Sequence, residues 1–178
     1  MKTVDFDKKT PRRVIHDKSA WRGLESILES LMARYKVDNK LALEFGVEFG
    51  YSTVALSNFF NLVVGVDTFG GDIHNKFKGD YKKAKENCAS YKNIDLIQAD
   101  YKDFIKSDDS WYDLIHIDIV HTYEDTFACG KWAIKHAPVV IFHDTESFPD
   151  VRQAVDDLSK GNWDNYPHHY GLGIIHTL

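Results

Sequence analysis

Leu41-Ala-Leu-Glu-Phe-Gly-Val-Glu-Phe-Gly-Tyr-Ser-Thr53 is the stretch on which the reading of this chain turns. Leu41 to Phe45 is an apolar run broken by Glu44, the pattern of a strand buried within a sheet. Gly46 and Gly50 follow, and glycine lets a backbone turn tightly and come close to a ligand before a helix begins near Tyr51. A strand, a glycine turn and a helix start predict free backbone N–H groups and a positive helix end at the carboxyl edge of a parallel sheet. That edge is where open α/β folds bind nucleotide-like ligands. The spacing departs from the G-x-G-x-x-G of dinucleotide sites, because Val47, Glu48 and Phe49 separate the two glycines. Glu44, just ahead of the turn, is a candidate acceptor for ligand hydroxyls or an amine.

Outward from this stretch, short apolar runs alternate with helical patterns. Leu62–Val66 ends at Asp67, Ile94–Ile97 runs toward Asp100, Asp113–Asp118 is a fourth strand, and Val139–Asp144 is the most apolar run of all. Helices are predicted over Ser19–Tyr35, around Phe77–Tyr91, over Lys102–Lys106 and Tyr123–His136, and from Pro149 onward with Val151, Val155 and Leu158 inward. Gly171–His176 reads as a last strand, paired antiparallel with one around Asn162–His168. The alternation predicts an α/β fold, a doubly wound and mostly parallel sheet with helices on both faces and an antiparallel C-terminal strand. Asp67, Asp100, Asp118 and Asp144 each fall at or just past the carboxyl end of a strand, which gathers them with Gly46 and Gly50 along one rim. A single aspartate there is an ordinary helix cap; four in register predict a site.

Composition bounds the rest. A chain of 178 residues, 43% hydrophobic and 28% charged, is expected to form one domain over 1–178, with the charged, Pro11-bearing residues 1–16 as a flexible arm. A net charge of -5 argues against general nucleic-acid binding, and the cluster of Lys76, Lys78, Lys82, Lys83 and Lys85 reads as a solvated helix face. Cys88 and Cys129 are far apart and form no C-x-x-C, as in a cytoplasmic protein with reduced thiols. No apolar run approaches the roughly 20 residues of a membrane helix, and Met1–Asp7 has no signal-like apolar core.

With these motifs the chain resembles the class I S-adenosylmethionine-dependent methyltransferases, and more closely their small metal-assisted O-methyltransferase branch, which acts on sugars and natural products. The resemblance rests on Glu44–Thr53, Gly65-Val-Asp-Thr-Phe-Gly-Gly-Asp72, His116-Ile-Asp-Ile-Val-His-Thr-Tyr-Glu124 and Phe142-His-Asp-Thr145. It implies a Rossmann-like sheet that carries S-adenosylmethionine over its first two strands. Glu44, Gly46, Gly50 and Ser52 would surround the methionine part and turn, Asp67 the ribose hydroxyls, and Asp100 the adenine, with Asp118 also among the cofactor contacts. Asp118 and Asp144 are hard oxygen ligands suited to magnesium, and with His143 as a third ligand manganese also fits. His121, three residues after Asp118, is the expected general base for a hydroxyl proton, with Asp118 beside it in catalysis. The acceptor implied is a small-molecule hydroxyl, a sugar among them. The Thr68–Asn75 loop, carrying Asp72 and His74, is a candidate lid. Ile119-Val120 departs from the small and acidic pair of the resembled branch. So short a chain leaves either a pocket open to solvent or one completed by a second copy in a homo-oligomer.

Two other readings compete. His116-Ile-Asp118 with His143, His168 or His169 spells the H-x-D…H pattern of non-haem iron oxygenases, although a buried parallel strand suits a core histidine better. A non-catalytic S-adenosylmethionine-binding or assembly protein needs the turn but not His121. A nicotinamide dehydrogenase is disfavoured by the glycine spacing.

Overall fold

The computed structural model describes residues 1–71 and 80–177. Strands β1 (Lys2–Thr3), β2 (Leu41–Phe45), β3 (Leu62–Asp67), β4 (Ile94–Gln98), β5 (Leu114–Ile117), β6 (Val139–His143), β7 (Asp164–Tyr166) and β8 (Leu172–His176) alternate with helices. The helices are α1 (Leu28–Tyr35), α2 (Tyr51–Leu56), α3 (Tyr81–Cys88), α4 (Tyr101–Ser107), α5 (Tyr123–Ala133) and α6 (Pro149–Ser159), with a 3₁₀ turn at Leu24–Ile27 ahead of α1. The strands form one sheet in the order β1-β7-β8-β6-β5-β2-β3-β4. From β4 to β6 every pairing is parallel, while β8 runs antiparallel to both β6 and β7. The doubly wound, mostly parallel sheet expected from the strand and helix alternation is therefore the fold of the chain.

Strand parity divides the core into two layers. Ala42, Leu114, Val139 and Ile141 pack with Leu24, Leu28 and Leu31 and with Ala55 and Leu56 of α2. Their sequence neighbours Leu43, Phe45, Ile115, Val140 and Phe142 face the other way, onto Tyr101, Cys129, Ala133 and Val155 of α4, α5 and α6. Period-two alternation in strands apolar on both faces is what a sheet sandwiched between helices demands. Each large side chain so buried contributes roughly 1.5–3 kcal/mol.

Two local expectations are corrected, and a third falls outside the described residues. The first helix begins at the 3₁₀ turn rather than at Ser19, because Gly23 has φ +107 and breaks the helical path. Residues at the start of the chain are not loose: β1 pairs parallel with β7, and Val4 and Phe6 are buried. The lid candidates Asp72 and His74, with Lys76 and Lys78, lie outside the described residues. Both cysteines are free and buried, and no helix among the described residues is long and apolar enough to cross a membrane.

The strand order reverses between β2 and β5. β3 and β4 extend the sheet to one side of β2, whereas β5 and β6 extend it to the other. A crevice opens beyond the carboxyl ends at such a point, since the loops from β2 and β5 leave in opposite directions.

Candidate active site at the carboxyl edge of the sheet

A cleft of about 770 Å³ occupies that crevice, and Asp67, Asp100, Asp118 and Asp144 all line it. The rim read from the strand ends is thus a single surface. Gly46, Ser52, His121 and His143 join the lining.

The glycine turn is packed tightly under the cleft. Gly46 has φ +91, and a side chain there would overlap the backbone carbonyl of Asp118, so only glycine lets β2 and β5 close together at this level. The turn's N–H groups are largely taken: Gly46 donates to the Val66 carbonyl at 2.9 Å and Gly50 to the Val47 carbonyl at 2.8 Å. Val47 and Glu48 both donate to Asp67 Oδ2 at 2.8 Å, and Phe69 donates to Oδ1 at 2.7 Å. The expectation of free N–H groups in the turn is corrected accordingly. Asp67 spends three of a carboxylate's roughly four acceptor positions on the backbone. Asp100 is the N-cap of α4, accepting from Lys102 N at 2.8 Å, and lines the cleft as well.

Two of the predicted contacts stand behind the wall. Gly50 faces α3, where an added Cβ would meet Cys88 Sγ at 2.9 Å. Glu44 is fully buried; its carboxylate accepts from the Thr53 hydroxyl and pairs with His116 Nδ1 at 2.9 Å. His116 Nε2 in turn accepts from the Trp21 indole N–H at 3.1 Å. Both ring nitrogens of His116 are therefore engaged inside the core, and His116 lies outside the cluster of groups able to hold a metal, which removes the H-x-D…H constellation. The Glu44–His116 contact is legible in the register, since the two are direct partners across β2 and β5.

Charge is concentrated where β5 and β6 end. Asp118 Oδ2 lies 3.1 Å from His143 Nδ1, and His143 Nδ1 lies 3.4 Å from Asp144 Oδ2. His121 Nε2 is 2.8 Å from Asp144 and 3.8 Å from Asp118, with its ring stacked on Phe148 at 4.0 Å. Asp144 holds φ +66, an uncommon conformation for a residue with a side chain and a mark of imposed geometry. Burial disfavours charge on both imidazoles, but the flanking carboxylates outweigh it and push His121 and His143 up to about 10. Burial likewise raises Asp118 and Asp144, yet the histidines prevail and hold Asp118 well below the usual carboxylate range and Asp144 below it too. Glu48 moves up, through burial first and then its neighbours Asp118 and Asp67.

The donor set passes a chemical test for a cation. Ligand atoms of Asp118, His143 and Asp144 lie within 4.8 Å of one another. His143 Nε2 sits 3.3 Å from the His169 carbonyl, which only accepts, so Nε2 carries a proton. Nδ1 then faces two carboxylates, and that arrangement requires either a second proton or a cation between them. Two hard oxygens with one imidazole suit magnesium or manganese.

Trp21, Asp125 and Tyr170 are among the cleft residues that the pattern reading did not assign to the site. Trp21 sits in a helix-like apolar pattern and gives no sign that its indole reaches the wall. Tyr170 lies in a loop whose course depends on β7 and β8.

Comparison with known proteins agrees with this architecture. The O-methyltransferase of Bacillus cereus, solved in complex with SAH, matches 91% of this chain and 83% of its own with a TM-score of 0.64 at 16% identity. The O-methyltransferase TomG of Streptomyces achromogenes, solved with SAM, matches 93% of this chain and 92% of its own at 0.62 and 15%. Ribosomal protein L11 methylase of Lactobacillus delbrueckii subsp. bulgaricus matches 88% and 80% at 0.58 and 19%, so the fold serves more than one class of acceptor. In sequence, the uncharacterized protein y4gI of Sinorhizobium fredii is 28% identical over 158 residues, 75% of this chain, and the chain spans 16% of that protein's length. The family described as Methyltransferase domain matches residues 43–145, from within β2 to just beyond β6, and the chain belongs to that family.

Proposed function

We propose that this chain transfers a methyl group from S-adenosylmethionine to the hydroxyl of a small molecule, sugars included, in the cytoplasm. A divalent cation, magnesium or manganese, would be held by Asp118, Asp144 and His143. The observation that carries the reading is that one cleft is lined both by the Gly46 turn with Asp67 and by Asp118, His121 and Asp144. Donor and acceptor would meet within it. The similarly folded O-methyltransferases solved in complex with SAH or SAM support the choice of donor.

In this reading Asp67, with about one acceptor position left, takes a single strong hydrogen bond from the ribose and not two. Gly46 brings the backbone against the sulfonium end, and Asp100 borders the adenine. Glu44 acts from below, by holding Thr53 and His116. When bound, the cation supplies Lewis-acid stabilisation of an alkoxide. Left to protons alone, Asp118 and Asp144 keep His121 charged at neutral pH, and an imidazolium is no base. Were those carboxylates to balance a cation instead, they would no longer hold His121 charged, and its Nε2 would take the hydroxyl proton, with Phe148 stacked on the ring to fix its plane.

Calorimetry with S-adenosylhomocysteine and with Mn²⁺, each alone, tests the assignment. Wild type is expected to bind both. Asp144→Asn is expected to weaken Mn²⁺ at least about tenfold with S-adenosylhomocysteine affinity unchanged. Full methylation in excess chelator would sink the cation role. Tight S-adenosylhomocysteine binding with no product from a panel of sugar and other hydroxyl acceptors, untouched by His121→Ala, would favour a binding protein without catalysis.

A further inference from the structure

The carbonyls of three consecutive residues converge on the end of β6. His169 O faces His143 Nε2 at 3.3 Å, Tyr170 O accepts from Glu146 N at 2.8 Å, and Gly171 O accepts from Asp144 N at 3.0 Å. These residues have φ of 53°, 69° and 92°, a left-handed run that histidine and tyrosine adopt only at a cost. Such a run persists where its surroundings over-determine it. Here it is gripped from two sides. A Cβ on Gly171 would lie 2.5 Å from Thr145 Oγ1 and 2.6 Å from Glu146 N, so the turn sits directly on the β6–α6 backbone. On the far side the His169 ring lies against Gly23, where an added side chain would overlap it.

We infer that the His169–Gly171 turn, which supplies none of the candidate ligands, is a positioning device for the cation centre and controls its cation affinity. The inference rests on the proposed cation site at Asp118, His143 and Asp144. Its physical basis is orientation: a ring whose Nε2–H is tied to a carbonyl presents Nδ1, and only Nδ1, to Asp118 and Asp144. The bond from Asp144 N to Gly171 fixes the adjoining ligand in the same turn. A methyl at position 171 would meet the Glu146 backbone nitrogen at 2.6 Å, so the turn itself must move, and with it the carbonyls that hold His143 and Asp144. Loss of such outer partners lowers metal affinity by about 10- to 100-fold.

The test uses the full chain and Mn²⁺ alone, followed by electron paramagnetic resonance of the free ion. Gly171→Ala is expected to bind Mn²⁺ about 10- to 100-fold more weakly than wild type while keeping wild-type affinity for S-adenosylhomocysteine. Equal Mn²⁺ affinity in a folded Gly171→Ala overturns the inference. If Gly171→Ala does not fold, nitrogen-15 spectra of wild type with Mg²⁺ decide: a proton on His143 Nε2 supports the turn's role and a proton on Nδ1 refutes it. Wild type that binds neither ion removes the cation reading itself, a failure distinct from a wild type that binds and a variant that binds as well.

Discussion

Trp21 can only donate, so its hydrogen bond fixes His116 with a lone pair on Nε2 and a proton on Nδ1 that points at Glu44. Trp21→Phe keeps the packing and leaves a buried acceptor without its donor, and urea unfolding should show a loss of about 1–3 kcal/mol. The aspartate and histidine cluster gives a pH signature. His121 and His143 are raised from 6.5 to about 10, so the stability they contribute is complete below about pH 6.5 and disappears as pH climbs through 10. Asp118 and Asp144 are shifted down, and their contribution is lost on acidification instead. In chelator, the melting temperature should therefore fall from neutral pH toward 10 as one coupled transition, and saturating Mn²⁺ should abolish that fall. A flat profile in chelator would show that the carboxylates do not hold the imidazoles charged. The four rim aspartates were legible because strand ends and one residue type suffice to place them. Glu44 was misjudged as a ligand contact because a polar residue in a buried strand looks like a site until its partner across the sheet, His116, is paired with it.

Glycine turns show the same division at the scale of elements. Gly46 and Gly50 mark where β2 ends and α2 begins, yet they serve different neighbours: Gly46 the backbone of Asp118, Gly50 the thiol of Cys88. Gly46→Ala meets both a positive φ and a backbone carbonyl, so strain alone should cost about 1–3 kcal/mol, and S-adenosylhomocysteine binding should be lost in calorimetry. Wild-type binding by a folded Gly46→Ala would mean that the cofactor sits elsewhere. The helix predicted from Ser19 illustrates what periodicity conceals. Trp21, Leu24, Leu28 and Leu31 keep helical spacing, but the left-handed Gly23 turns Trp21 away from the helix and toward His116, while Glu25 accepts from Gly23 N at 2.5 Å. Apolar spacing records which side chains are buried and is silent on whether one helix or a turn buries them.

For the molecule as a whole, the order of the sheet was only partly readable. Alternating strands and helices establish parallel β2 to β6, whereas the outer edge depends on a two-residue β1 that carries no period to detect. Phe6 is buried just beyond it, within 6.3 Å of the Tyr35 ring and 5.8 Å of the Tyr166 ring. Phe6→Ala should lower stability by about 3 kcal/mol in denaturant unfolding, and a change below about 0.5 kcal/mol would mean that this edge is dispensable. The pairing of β5 beside β2 has a bearing on how the protein comes into being. Segments that meet at the cleft are separated by some seventy positions, with β3 and β4 made in between, as Glu44 opposite His116 shows. A ribosome that has released only the first hundred residues has produced the glycine turn without the strand that closes against it. Ligand recognition should accordingly switch on late and all at once during synthesis, and an interrupted product would be inert rather than half competent.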